Sequence, residues 1–332
     1  MGGENDVELT LAINDYDHVR DLVSGRVPVE GVRLRGLTLA IEEIFFRFTA
    51  FREWDASELS LGKFASLRAA GDESLVGIPV FPSRVFRHSG IYVHADGGLS
   101  GPGELAGRRI GVPEWVVTAG IYTRGILAHE YGVPLEGVEW LQGGVNEPGR
   151  EELVAPSLPE GITLTPVSDR SLEDMLVAGD LDAIVAPRAP AGMSDPARGI
   201  VRLVSDHREA EAGYYERTGV FPIMHLVVIK ADVHERHPWI ARNLMRAFER
   251  AKRLSLERFD DVSASRFPIP WSWDALPSAR KLLGDDPWPY GLEPNRKTLD
   301  TFLRYAHEQG VCARRLAPED LFPESLRRDF RI

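Results

Sequence analysis

A single cysteine, Cys312, is all the thiol chemistry this 332-residue chain possesses. Its isolation excludes an intramolecular disulfide and makes a cysteine-ligated zinc or iron–sulfur centre implausible, so Cys312 reads as a small buried or half-buried residue. No run of about 18 apolar residues occurs, which removes a transmembrane helix. The acidic start Met1–Asp6 leads directly into a strand-like run and lacks the basic and apolar pattern of a secretory leader. The chain therefore reads as cytoplasmic. Positive charge is in deficit: 39 Lys and Arg against 50 Asp and Glu leave a net charge of -11. That field repels nucleic acid and anionic membranes, so an anionic ligand has to be held by a local basic cluster. Also missing are a P-loop, a Gly-x-Gly-x-x-Gly between strand and helix, a His-Glu-x-x-His, a Gly-x-Ser-x-Gly elbow and any internal repeat, which leaves ordinary nucleotide, zinc-protease and serine-hydrolase readings without support. His18, His94, His129, His207, His234, His237 and His307 are scattered without ligand spacing and read as surface or capping residues.

What the chain does have is apolar material, 43% of its residues, and a length that favours two lobes over one core. Short apolar runs at Leu9–Ile13, Ala56–Leu61, Ile78–Phe81, Ile91–His94, Ile110–Val112 and Val138–Leu141 alternate with helical patterns, and predict an α/β fold. A helix is expected from Trp115 to Tyr131, stopping at Gly132. Another follows the Ser171-Leu172-Glu173-Asp174 capping box and ends at Gly179 before a strand at Leu181–Val185. Phe221–Ile229 reads as a long strand, Pro238 to about Ser255 as an amphipathic helix, Trp271–Tyr290 as an irregular connection, and the region around Leu299–Ala306 as a C-terminal helix.

Three places concentrate anion-binding chemistry. The segment Phe81–Gly90 sets Ser83, Arg84, Arg87 and His88 after an apolar strand; a guanidinium grips carboxylates bidentately and an imidazole moves protons near neutral pH. The bland alternative is a solvated basic turn, against which stand Pro82 and the apolar Ile91-Tyr92-Val93. The helix after Ile110-Gly111-Val112-Pro113 offers free backbone N–H groups at a strand end. The strand Leu181–Val185 delivers Arg188 to its C-terminal edge, where ligands bind in open α/β sheets. His225, inside an apolar run, reads by itself as a hydrogen-bonded core residue.

Taken together, Asn14-Asp15-Tyr16-Asp17, Glu58-Leu59-Ser60-Leu61, the Phe81–Ser89 block, Gly111-Val112-Pro113-Glu114, Gln142-Gly143-Gly144 with Glu147-Pro148-Gly149-Arg150, Phe221-Pro222-Ile223-Met224-His225, Trp288-Pro289-Tyr290-Gly291 and Asn295–Leu299 resemble the 4,5-dihydroxyphthalate decarboxylase family over nearly the whole chain. The resemblance implies a two-lobe α/β fold like that of type 2 periplasmic binding proteins, with an interlobe cleft. Residues 1–93 and 226–332 would form one lobe and 94–225 the other. Asp15, Tyr16, Glu58, Ser60 and Ser83 to His88 would then face Glu114 to Thr118, Asn146 to Arg150 and Arg188 across the cleft.

The reaction so implied protonates an electron-rich ring at its carboxyl-bearing carbon while a para hydroxyl donates density, and it requires no cofactor. Arg84, Arg87 and Arg188 are expected to hold the carboxylates, with Ser60, Ser83, Asp15, Tyr16, Glu114 and Thr118 as further substrate contacts. His88 or His225 would protonate the ring, and Glu58 or Asp15 would accept the phenolic proton. A metal is not expected: His88, His225 and Glu58 have no ligand spacing, and the arginines would repel a cation. Two alternatives stay open, a non-catalytic solute-binding protein for an aromatic or dicarboxylic acid, and an enzyme of this fold acting on another hydroxylated aromatic acid. A homo-oligomer is compatible with the sequence.

Overall fold

The apolar runs become the strands of two sheets in the computed structural model, which describes residues 6–150, 152, 154, 156–263 and 267–327. The acidic N-terminal residues 1–5 lie outside the described ones. The first sheet has the order β2-β1-β3-β11-β4, built from β1 (Val7–Ile13), β2 (Val32–Thr38), β3 (Ala56–Ser60), β4 (Leu75–Arg84) and β11 (Ile223–Lys230). β5 (Ile91–His94), β6 (Arg109–Val112), β7 (Glu139–Gln142), β8 (Leu164–Pro166), β9 (Ala183–Val185) and β10 (Ile200–Arg202) form the second, in the order β10-β5-β9-β6-β7-β8. The helices are α1 (Asp17–Val23), α2 (Ile41–Phe51), α3 (Leu61–Ala69), α4 (Thr118–Tyr131), α5 (Leu172–Ala178), α6 (His207–Thr218), α7 (Ala231–Arg236), α8 (Trp239–Asp260), α9 (Ala275–Leu283) and α10 (Arg296–Glu308).

The chain leaves the first sheet after β4 and returns to it at β11, whose partners on both sides run antiparallel to it. The outgoing and returning segments touch, with the Val85 N–H donating to the Pro222 carbonyl at 3.2 Å. A second link lies in α10, which packs on α4. Gly125 on α4 is required there, since a Cβ would fall 2.1 Å from the Tyr305 ring. At the end of α10, Gln309 donates from Nε2 to the Ile121 carbonyl (2.9 Å) and accepts from Arg124 Nε (2.8 Å), while its own carbonyl accepts from Trp115 Nε1 (2.8 Å). The main apolar core consequently runs unbroken from Leu11, Leu59 and Val228 through Tyr122 and Phe302 to Ile110 and Val112, and a smaller cluster seats α5 on the second sheet.

Some expectations change. The helix predicted from Trp115 begins at Thr118, because residues 113–117 pass close over Gly62: a Cβ on that residue would lie 2.5 Å from the Val116 carbonyl oxygen. The supposedly irregular Trp271–Tyr290 contains α9, whose proline, Pro277, falls in the first turn where its missing N–H costs nothing. His18 is no surface residue: its ring lies against Tyr16 and Trp288, and burial pushes it down to about 4. Cys312 is buried, as anticipated, and its thiol is pushed up to about 12 by that burial. Among the described residues no helix is long and apolar enough to cross a membrane.

Candidate active site

Register builds the centre of the site. β11 pairs antiparallel with β3 so that His225 lies opposite Ser60 and Val227 opposite Glu58, which makes Glu58 and His225 diagonal neighbours on one face. Glu58 is completely buried. Its Oε1 accepts from the Tyr16 hydroxyl (2.6 Å) and from His225 Nδ1 (2.7 Å), and its Oε2 from the Asn14 N–H (3.0 Å). The Tyr16 O–H and the Asn14 N–H leave Glu58 accepting on both oxygens, and an accepting Oε1 pairs with a His225 that carries its proton on Nδ1. Burial first, then Glu58, holds the Tyr16 phenol well above its ordinary range, so it stays a donor. The Ser83 hydroxyl also bears on that phenol. Phe45 meets the His225 ring edge-on at 4.9 Å, and the other ring nitrogen, Nε2, remains free to act in the cavity that His225 lines.

That cavity, about 610 Å³, lies between the two sheets and is large enough for a substituted benzene ring. Ser60 and Thr118 meet at its floor, their hydroxyls 2.8 Å apart, and Thr118 also accepts from the Gly62 N–H at 2.9 Å. Thr118 opens the 14-residue α4, whose first turn has no side-chain cap, so backbone N–H groups are presented to the cavity. Arg87 lines the wall, 8% exposed, donating from Nε to the Met224 sulfur (3.1 Å) and from Nη1 to the Pro187 carbonyl (3.2 Å). Burial pushes its guanidinium down to about 10, still cationic at neutral pH. No carboxylate pairs with it among the described residues, so Arg87 is a buried cation facing a cavity without its counter-ion. Arg188 lines the mouth and pairs with Glu42 of α2 at 2.8 Å, across from one sheet to the other.

Other sequence-derived candidates lie elsewhere. Arg84 turns away from the cavity: Nη2 donates to the Pro289 carbonyl (2.7 Å) and to Asn295 Oδ1, Nη1 to the Phe221 carbonyl (3.3 Å), and the guanidinium sits over the Phe81 and Phe221 rings. It is a structural tie to the C-terminal segment. His88 is buried beneath Tyr214 and Tyr131 with neither ring nitrogen bonded, pushed down to about 4 by burial and then by Arg217. It does not reach the cavity and is unsuited to donate a proton. Asp15 is exposed and off the cavity lining, and Glu58 is too enclosed to take a proton from a ligand directly. Glu114 contacts no ligand space either; it holds Arg150, which does line the cavity. Phe45, Met224 and Arg150 were not assigned roles from sequence. Arg150 stood in the Glu147-Pro148-Gly149-Arg150 motif and Met224 in the Phe221-Pro222-Ile223-Met224-His225 motif, which were the available signals; Phe45 depended on how α2 packs against His225. Among the described residues no group of three or more His, Cys, Asp or Glu gathers as a metal site.

No protein-family model matches the chain. It is 38% identical over 327 residues to a 4,5-dihydroxyphthalate decarboxylase of Comamonas testosteroni, covering 98% of this chain and 99% of that protein. A second relative of the same name, from Pseudomonas putida, is 36% identical over 212 residues, covering 64% of this chain and 82% of the relative. Among solved structures, the periplasmic aliphatic sulphonate binding protein SsuA of Escherichia coli superposes with a TM-score of 0.53 at 11% identity, over 96% of this chain and 98% of that one. The likeness shows the fold alone: two lobes of periplasmic-binding-protein type around a cleft.

Proposed function

Since the chain belongs to the 4,5-dihydroxyphthalate decarboxylase family, we propose that it converts 4,5-dihydroxyphthalate to protocatechuate and carbon dioxide, acting in the cytoplasm. The observation that carries this reading is the Tyr16–Glu58–His225 chain of hydrogen bonds ending at the cavity. A carboxylate oriented on Nδ1 fixes the imidazole and offsets the charge it acquires when Nε2 takes up a proton. Arg87, Arg150 and the amides opening α4 supply the anion-binding groups, with Arg188 at the mouth.

Protonated His225 delivers its Nε2 proton to the ring carbon bearing the scissile carboxylate. The para hydroxyl feeds electron density into the ring and loses its proton to water in the open cavity, since neither Glu58 nor Asp15 lines it. The bond to the carboxylate then breaks, its electron pair restores aromaticity as carbon dioxide departs, and the phenolate regains a proton. One proton is consumed for each carbon dioxide released. Glu58 positions His225, and a correctly placed acid of this kind contributes roughly 10² to 10⁴ in rate.

Incubating the protein with 4,5-dihydroxyphthalate in deuterium oxide and following protocatechuate by NMR tests the scheme. One deuterium should appear at the vacated carbon, and His225→Gln should lose turnover while still binding the diacid. Tight binding without any carbon dioxide release would establish the solute-binding alternative instead.

A further inference from the structure

Arg150 reaches the cavity but is held from behind. Its Nε and Nη2 both donate to Glu114 Oε1, at 2.9 and 2.6 Å. The other oxygen of Glu114 faces Lys63 Nζ at 3.3 Å. Lys63 belongs to α3 beside the first sheet and Glu114 to the loop following β6 of the second, so the pair bridges the two sides of the cleft. Both are 4% exposed. An ammonium buried against a single carboxylate is a poor stabilising device, because desolvation offsets the attraction and an apolar side chain of similar size would serve as well. The arrangement has an electrostatic result that an apolar residue could not provide. Two cations share one carboxylate, leaving one net positive charge, and the exposed end of the cluster is Arg150 at the cavity wall. The remaining titratable group in the cluster is Glu152, whose Oε2 accepts from the Trp115 and Val116 N–H groups. Burial and then Glu114 push it up to about 7, so at pH 6 it is mostly neutral and the positive charge survives.

We propose that Lys63 is a positioning residue for substrate binding: by engaging the second oxygen of Glu114 it keeps Arg150 from being neutralised and leaves that guanidinium able to bind a carboxylate of an aromatic diacid. The proposal rests on the reading of the cavity as a diacid site. Lys63 touches no ligand and acts only through Glu114 and Arg150.

The test is calorimetric binding at pH 6 of 4,5-dihydroxyphthalate and of uncharged 4-methylcatechol to the parent, Lys63→Met, Lys63→Arg, Arg150→Met and the Lys63→Met/Arg150→Met double variant. Lys63→Met should weaken the diacid about tenfold and leave the uncharged catechol unchanged, Lys63→Arg should restore affinity, and the double variant should bind no more weakly than Arg150→Met alone. Parent-like diacid affinity in Lys63→Met, equal losses for both ligands, or additive losses in the double variant would each overturn the proposal. Should Lys63→Met not fold, Lys63→Gln carries the same expectation, and failure of both to fold assigns Lys63 to stability and refutes the idea. A parent protein that does not bind the diacid refutes the site itself, an outcome distinct from any behaviour of the variants.

Discussion

Replacing Glu58 by glutamine probes the site where its geometry is most constrained. The carboxylate receives three donors, from Asn14, Tyr16 and His225. The amide has one accepting oxygen and an NH2 group that must face at least one of them. If the NH2 faces Asn14, two buried N–H groups oppose each other, at a cost of about 1–3 kcal/mol. If the amide flips, its oxygen serves Asn14 while the NH2 donates to the Tyr16 oxygen and to His225 Nδ1. That second arrangement pairs Asn14 and His225 and leaves the Tyr16 O–H to turn toward the Ser83 hydroxyl, and it does so by moving the histidine proton to Nε2 in the neutral ring. Protonating the imidazole would then set Nδ1–H against the amide NH2, so the acid form is disfavoured by the same buried contact that the carboxylate makes favourable. Glu58→Gln should therefore fold, bind the diacid within about threefold of the parent because Glu58 does not line the cavity, and lose roughly 10² to 10⁴ in kcat. Carbon dioxide release under saturating substrate measures the first quantity and calorimetric titration the second. Turnover within about threefold of the parent in a folded Glu58→Gln protein would refute the assignment of Glu58 and His225 as one unit.

Three further outcomes are expected. His88→Gln should leave kcat and KM near parental values, since both ring nitrogens are enclosed away from the cavity; a hundredfold fall in kcat would return His88 to the mechanism. Arg84→Met should lower stability by about 2–4 kcal/mol in urea unfolding by stranding the acceptors of Phe221 and Asn295, with KM little changed. Glu152 gives a pH signature: its carboxyl is raised in the folded protein from 4.5 to about 7, so between those values the folded state holds a proton that the unfolded chain has lost. Stability should accordingly fall as pH rises through that window, by up to about 3 kcal/mol, and Glu152→Gln should flatten the slope; identical slopes for parent and variant would contradict the burial of that carboxyl.

The strands were readable where apolar residues ran together, as at Ile91–His94, and the α/β class followed from their alternation with helical patterns. Edge strand β2 escaped because Arg33, Arg35 and Gly36 leave no continuous apolar run along Val32–Thr38, and α2 because both of its faces carry aromatics. The functional assignments divide along the same physical line. A basic cluster between Phe81 and Gly90 was evident, but not which arginine enters the cleft. Alternation along β4 is broken where its pairing with β11 shifts around His225, and such a bulge reverses the side-chain parity that a sequence reading relies on. Arg84 thus turns to Asn295 while Arg87 reaches the cavity. Glu58 was singled out, yet as a base; its burial and its role beneath His225 depend on a pairing between strands more than 160 residues apart, which local pattern does not contain.

The way the lobes are joined bears on what the cleft can do. A solute-binding protein captures its ligand by a hinge motion that closes two lobes over it, which needs lobes that separate at little cost. Here the Ser60–Thr118 hydroxyl pair, the Lys63–Glu114 ion pair and the seating of α10 against α4 through Gly125 and Gln309 all connect the two sides beneath the cavity. Opening would tear a continuous apolar core and expose a buried ammonium and carboxylate. Arg188 and Glu42 at the mouth form the contrasting case, an exposed pair whose separation costs at most about 1 kcal/mol. Access is therefore easiest at the rim, while the floor that carries Ser60, Thr118 and the first turn of α4 stays fixed relative to His225. A rigid floor beneath a movable rim suits proton transfer to a particular ring carbon, because misplacing the donor by an ångström forfeits much of the rate, whereas a protein that only traps its ligand gains nothing from holding a histidine that firmly.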